Sequence, residues 1–443
     1  MTIRLSDHFT VGKLLRFTLP SVVMVIFTSL YTIVDGIFVA NVAGSQAFAA
    51  LNLIWPVIAI MGTFGFMIGT GGSALVAKLL GEQKKREANE VFSLLVYSLI
   101  VVAIVMSVVG AVWIEDFARL LGATEQMLPD CVAYGRTLAL MMTGYFLQNA
   151  FQAFLVTAER PTLGLLLTII AGVMNMVLDY LLIAVAGLGI FGAALATGLS
   201  WIVGGIIPFV FFVTPGNGTP LRVSKTRWNG KALLQSCFNG SSEMVTNLSM
   251  SVITVLYNFE LMKMIGADGV VAYGVLQYIS FVFAGAFLGY GVGIAPIISY
   301  HYGAGNTGEL DSLLKKSLAL IAITALVLTL VAEISAPWLA MVFVNGSASL
   351  GALTVHAIRI YSVSFLLCGF NIFGSSFFTA LNNGLVSAAI SFVRTFLFQV
   401  ACILILPKLF GLDGIWSAVV VAESLSLLVV VFFLRKEKAR YGY

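Results

Sequence analysis

The sequence predicts an all-α polytopic membrane protein, with twelve transmembrane helices in two six-helix lobes. Three observations predict it. Of the 443 residues, 60% are hydrophobic and 10% charged, where soluble domains carry about 25% charged residues, and the mean hydropathy is +1.02. Apolar runs long enough for a helix to cross the hydrocarbon layer recur twelve times along the chain. The two halves of the chain also repeat one another at a near-constant offset.

Taken in order, the first six spans cover about residues 13–36, 47–76, 90–112, 129–156, 162–184 and 190–213. A short polar N-terminus precedes them, and no small-residue cleavage site of a secretory signal follows it. At the midpoint the polar segment Thr214-Pro215-Gly216-Asn217-Gly218-Thr219-Pro220 runs on to Arg227. It sets the expected organisation: 1–213 as N-lobe, 214–232 as a cytoplasmic inter-lobe loop, 233–443 as C-lobe. The second six spans cover about 233–264, 269–298, 312–333, 350–378, 385–407 and 412–434. With an offset of 222, Gly44 falls on Gly266, Ala50 on Ala272, Gly69 on Gly291, Gly71 on Gly293, Gly81 on Gly303 and Glu87 on Glu309. Later the register slips by three, Gly189-Ile190-Phe191-Gly192-Ala193 matching Gly414-Ile415-Trp416-Ser417-Ala418. Six helices is an even number, so both halves run in the same sense. The repeat is a parallel pseudo-twofold about an axis along the membrane normal, an arrangement that forms transport sites between or within halves.

Charge sets the orientation. Eighteen of the 24 lysines and arginines fall on the side of the N-terminus, and three (Arg119, Lys263, Lys408) in loops on the other side. Arg136, Arg359 and Arg394 lie inside helices. The positive-inside rule then makes both termini cytoplasmic. These cations are spread over loops, so they offer no nucleic-acid surface. Cys131, Cys237, Cys368 and Cys402 are scattered without metal or redox spacing and read as packing residues. The turn Gly81-Glu82-Gln83-Lys84-Lys85-Arg86-Glu87 lacks a Walker pattern, so no nucleotide site is implied. No cofactor, metal or catalytic residue is expected.

Two isolated acids carry the functional reading. Between Arg16 and Lys78 the only charged residue is Asp35; between Arg160 and Arg222 the only one is Asp179. A carboxylate at membrane depth costs roughly 2.5–3.5 kcal/mol on insertion scales, which marks it as functional. Both acids fall near the outer ends of their spans and are expected to form one proton-binding site. Asn175 is four residues before Asp179, hence on the same helical face, and an amide can hydrogen-bond either protonation state of a carboxyl. Burial favours the neutral carboxyl, and two neighbouring acids favour it further. Pro20, fifteen residues before Asp35, is where a coupled bend of span 1 is expected.

Further on, Arg394, Glu423 and Glu243 each lie near the bilayer midplane. Arg394 is expected to pair with one of the two acids, and the residues leave open which. A fixed ion pair and a direct role in cation binding are both compatible with that placement. Cleft candidates are thioether and aromatic side chains, Met24, Phe27, Met61, Tyr257, Phe281, Phe283 and Phe287, since methionine repacks and aromatic faces attract cations.

The stretch Gly293-Ile294-Ala295-Pro296-Ile297-Ile298-Ser299-Tyr300-His301-Tyr302-Gly303-Ala304-Gly305-Asn306 resembles the eighth-helix signature of the multidrug and toxic compound extrusion (MATE) family. Asn239-Gly240-Ser241-Ser242-Glu243, Ala357-Ile358-Arg359-Ile360-Tyr361-Ser362 and Gly411-Leu412-Asp413-Gly414-Ile415-Trp416 are similar to other segments of that family. The resemblance covers nearly the whole chain and is nearest the DNA-damage-inducible subgroup of prokaryotic members. It implies an antiporter exporting lipophilic, often cationic drugs or toxic metabolites by alternating access. It also implies a protonatable N-lobe site made of Asp35, Tyr134, Asn175, Asp179 and Thr197. Topology independently puts Tyr134 and Thr197 at a depth similar to the two acids. The sodium-linked branch carries an acid in helix 10, and residues 350–378 contain none. Protons are therefore the expected coupling ion, with sodium at the N-lobe left open. Alternatives are a sodium-coupled exporter of the same family and a lipid-linked oligosaccharide flippase, which needs a more cationic cleft than Arg136, Arg359 and Arg394 supply. The expected setting is the prokaryotic inner membrane, with the bilayer and small molecules as partners and nothing requiring more than a monomer.

Overall fold

The computed structural model describes residues 3–343 and 348–443. α1 (Val11–Phe38) starts behind Thr10, whose hydroxyl accepts the Lys13 N–H. It holds Pro20 and Asp35 inside it, continues through a π-helical turn at Val39–Ala43, and ends at Gly44. That is about two turns beyond the expected end near residue 36. Gly36 does not interrupt the helix, whereas Gly44, with φ 101°, does.

The repeat is visible in element boundaries. α2 (Ser45–Gly81) and α10 (Ala267–Gly303) are both 37 residues long, and begin after Gly44 and Gly266, each with positive φ. α3 (Lys85–Leu120) matches α11 (Thr307–Phe343). The fourth pass of each half is broken: α4 (Leu128–Leu140) and α5 (Met142–Thr157) meet at Met141, and α12 (Ala348–Ser362) and α13 (Phe365–Ala380) meet with a 48° bend. The fifth passes both carry a π-helical turn. α6 (Pro161–Asp179) runs into Tyr180–Val185, and α14 (Gly384–Phe392) into Val393–Phe398. α7 (Gly189–Val213) completes the first half, and the second begins with α8 (Gly230–Asn239) and α9 (Ser241–Ile265), separated at Gly240.

α15 (Gln399–Tyr441) contains a reversal at Gly411, φ 60° and ψ −135°. Gly384–Tyr441 is a 58-residue stretch; as one straight helix it would reach about 87 Å, nearly three times the hydrocarbon thickness. Arg394 and Glu423, 29 residues apart, touch at 2.9 Å, which only a fold-back allows. The stretch is therefore two helical passes, and among the described residues nine helical stretches, this one included as one, are long and apolar enough to cross a membrane, or ten with the bent pair of α12 and α13.

Buried apolar side chains gather in two clusters, one from Val39 to Ala232 and one mostly from Ile253 to Tyr443. α1 straddles them: Leu14 and Phe17 join the second cluster, while α1 packs both on α10 and on α6. The halves meet through backbone. A Cβ on Gly81 would overlap the Tyr300 carbonyl, and one on Gly303 would overlap that of Lys78. Both pairs are related by 222, so the seam is the pseudo-twofold contact itself. Small residues at such crossings let helices approach closely. Side chains bridge the same end: Asn239 Nδ2 donates to the Gly71 carbonyl (3.3 Å), Asn382 Nδ2 to the Ala74 carbonyl (3.4 Å), and Gln83 Nε2 to the Tyr300 hydroxyl (3.2 Å).

We call this the basic end, since the N-terminus and the Lys- and Arg-rich turns lie there. The N-terminus, read from sequence as merely short and polar, is a strap across it. Leu5 and Phe9 are 1% and 0% exposed. The Leu5 N–H donates to Glu159 Oε1 of the first half (2.8 Å), and the Phe9 N–H to Glu309 Oε1 of the second (2.9 Å). His8 Nδ1 lies 2.6 Å from Glu309 Oε2, and Lys316 Nζ donates to the Phe9 carbonyl.

Candidate ion-binding site

Asp35 and Asp179 come from α1 and the last residue of α6, whose packing is set by Gly172. There a side chain would collide with Phe27 and Tyr31, at 2.6 and 2.9 Å. Close approach brings the two carboxyls near enough to share a hydrogen bond once one carries a proton. Asp179 is 1% exposed. Asp35 Oδ1 and both Asp179 oxygens are buried with no donor reaching them among the described residues.

The other three sequence candidates converge on the pair. Asn175, also buried, donates through Nδ2 to Thr197 Oγ1 of α7 at 3.4 Å, and its Oδ1 is unpartnered. Tyr134, on α4, is buried within electrostatic range of both carboxyls. Four helices therefore supply one polar cluster inside the apolar first half. π-helical turns begin directly after Asp179 and four residues after Asp35, a widening of the helix that is frequent at functional sites.

Sequence reasoning missed Tyr31 and Gln148. Tyr31 lies within electrostatic range of Asp35 and beside Gln148 of α5, and Gln148 with Thr168 borders a cavity of about 10 Å³, the size of one water. The available signal was Gln148-Asn149, a polar pair within the apolar run of the fourth span.

The second half holds a different arrangement. Arg394 Nε lies 2.9 and 3.0 Å from the two Glu423 oxygens, and Nη2 2.9 Å from Oε1. Asn371 Nδ2 donates to Glu423 Oε2 (2.6 Å) and to the Glu423 carbonyl (2.9 Å). Of the two partners left open by the sequence, Glu423 holds the direct contacts. Glu243, on α9, stands further off within range of the guanidinium charge.

The cleft candidates divide. Met24 lies on α1 facing Gly164 of α6, and Phe27 packs on Gly172. Met61 fills the space beside Gly110 of α3, and Phe287 that beside Gly369 of α13. Tyr257 stacks on Tyr273 at 4.3 Å, and Phe283 meets Phe365 edge-on at 5.2 Å. Met24, Met61, Tyr257 and Phe287 are thus buried in helix packing in this conformation, while Phe281 is 45% exposed.

Comparison with known proteins bears on what this arrangement serves. A family profile described as MatE matches residues 20–181 and 243–405. The multidrug export protein MepA of Staphylococcus saprophyticus is 22% identical over 95% of this chain and 93% of its own length. Among solved structures, one described as MATE in complex with MaL6 superposes with a TM-score of 0.93 at 21% identity, over 98% of each chain. Another, the outward-facing conformation of a multidrug resistance MATE family transporter of the MOP superfamily, gives 0.91 at 22% identity, over 98% of this chain and 97% of that one. Similarity this distant fixes the fold.

Proposed function

The chain belongs to the MatE family of membrane transporters, and on that premise we propose that it exports lipophilic, often cationic small molecules in exchange for protons. The single observation that carries the proton reading is the Asp35–Asp179 pair, Asp179 buried and Asp35 half-buried in the first half, with three carboxyl oxygens that no donor among the described residues reaches. In low dielectric such a pair is held most cheaply with a shared or added proton. A proton arriving from outside neutralises it, and one leaving restores a charge that draws in water or a cation. Export then requires only that protonation favour one conformation over the other. Asn175, Thr197 and Tyr134 supply the polar lining. Tyr31, in the same helix as Asp35, stands beside Gln148 of α5, and a change at Asp35 would be felt along α1 toward Pro20.

The two lobes, 1–213 and 233–443, would rock about the seam at the basic end. In this conformation backbone contacts and the strap hold that end shut, which supports an outward-open state. The strong bias of Lys and Arg toward this end supports placing it, and both termini, in the cytoplasm. The Arg394–Glu423 pair neutralises the midplane cation of the second half, which weakens the flippase alternative. Nothing in the helix packing calls for a second copy, and the protein would act as a monomer in the prokaryotic inner membrane.

The test is dye efflux from proteoliposomes with a proton gradient and a sodium gradient imposed separately. Efflux on the proton gradient alone, abolished in Asp35→Asn, is the expected result. Efflux on sodium alone keeps the exporter and replaces the ion. Transport under neither gradient ends the multidrug reading.

A further inference from the structure

At the basic end, between the strap and the turns of the first half, lies a cavity of about 480 Å³. That is within the range of small-molecule sites. Three cations converge on it from separate pieces of chain: Arg4 from the strap, Lys85 from the first residue of α3, and Arg160 from the turn after α5. One carboxylate, Glu159, shares the wall, but its Oε1 already accepts the Leu5 N–H at 2.8 Å. Arg160 Nη2 donates to the Gly218 carbonyl at 3.2 Å, which fixes the guanidinium and leaves its other N–H groups to spare. Among the described residues the side chains of Arg4 and Lys85 have no ion-pair partner. The cavity therefore carries excess positive charge, presented as donors, at the depth of the turns.

We propose that this cavity binds a phosphate-bearing anion, either the headgroup of an anionic phospholipid or a free phosphate compound, and that its occupancy holds the basic end shut. Guanidinium forks match phosphate oxygens in geometry, and lysine adds a point charge. Closure follows from where the walls come from. Tyr300, of the second half, completes the cavity and takes the hydrogen bond from Gln83, while the strap bearing Arg4 is anchored at Glu309 of that half. If the halves part here, Tyr300 leaves and the strap loses one anchor, so the cations no longer converge. An occupant that needs all three is bound only by the closed form and must stabilise it.

The test uses the full chain in nanodiscs of phosphatidylcholine, with and without phosphatidylglycerol. Arg4→Gln/Lys85→Gln removes two cavity cations; Lys225→Gln/Lys231→Gln removes two from the same end, away from the cavity. Native mass spectrometry counts retained lipid, and thermal unfolding with pyrophosphate in phosphatidylcholine discs reads the soluble arm. The unaltered protein and the Lys225/Lys231 variant are expected to retain phosphatidylglycerol, with the Arg4/Lys85 variant on the order of tenfold weaker. Pyrophosphate stabilisation with the same pattern of variants would instead identify a free phosphate compound as occupant. Equal loss in both double variants, or no difference between the Arg4/Lys85 variant and the unaltered protein with either probe, overturns the site. Spin labels at Lys84→Cys and Gly308→Cys read closure: the bound anion must enrich the short-distance population, and an unchanged distribution on binding removes the claim that occupancy shuts this end.

Discussion

In the first half Asp35 Oδ1 and both Asp179 oxygens are reached by no donor among the described residues. In the second, Arg394 and Glu423 close on one another through three contacts, and Asn371 ties down a Glu423 oxygen. In the last span of each half, where the offset is 225, Glu423 falls on Gly198. There the first half has no acid, and a Cβ on that glycine would overlap the Met141 side chain. The repeat conserves the scaffold and not the charge. A salt bridge whose donors and acceptors are matched has one protonation state worth holding, so it fixes geometry. An acid pair lacking donors changes state when a proton comes or goes, so it can drive geometry.

The sharpest way to break this contrast is to neutralise each site in turn. Asp35→Asn or Asp179→Asn should lower proton-driven dye efflux at least about 100-fold, a loss of order 3 kcal/mol in coupling. Arg394→Met/Glu423→Leu should leave efflux proton-driven. The reverse pattern would move the switch to the second half.

Next in size is stability. Glu423→Gln strands a buried guanidinium and should cost about 3–5 kcal/mol, whereas the Arg394→Met/Glu423→Leu double should recover most of it. Thermal unfolding in detergent measures both, and equal losses would show that the pair is not a closed unit. A smaller effect belongs to Thr197→Val. Losing the 3.4 Å hydrogen bond from Asn175, worth about 0.6 kcal/mol in a membrane interior, should shift the pH midpoint of efflux by about 0.4 units. No shift would remove Thr197 from the site.

The smallest concerns the strap. Burial pushes the Glu159 carboxyl up, against the opposing pull of the Leu5 N–H and Arg4. The folded form then holds its proton more tightly than the unfolded one, so this contribution favours folding at low pH and is lost as pH rises through the carboxyl's titration. Glu159→Gln keeps an oxygen for the Leu5 N–H and should flatten that slope. Melting temperatures at pH 5 and 7.5 check it, and an unchanged slope would assign the dependence elsewhere.

What the sequence revealed follows from cost. Asp35 and Asp179 stood out because a charge in an apolar run is expensive, and the same reasoning singled out Arg394. Tyr31 and Gln148 did not, because a neutral polar residue adds little penalty and so no comparable signal. The choice of Glu423 over Glu243 depended on the reversal at Gly411, a backbone conformation that composition does not encode. The strap was hidden for a related reason: Leu5 and Phe9 are two apolar residues in a polar segment, too few to show periodicity, yet both are buried. The π-helical turns left no residue pattern at all.

The seam of Gly71, Gly81, Gly240 and Gly303 bears on speed. Where a Cβ on Gly71 would overlap the Ser236 carbonyl, and one on Gly240 that of Met67, main chain lies directly on main chain. Interlocked side chains must leave their pockets and change rotamer before two surfaces separate. Bare backbone surfaces need only slide apart, so they hold firmly while in register and release with a low kinetic barrier. On the function proposed above, the smoothness of this contact would lower the barrier to parting the halves at this end.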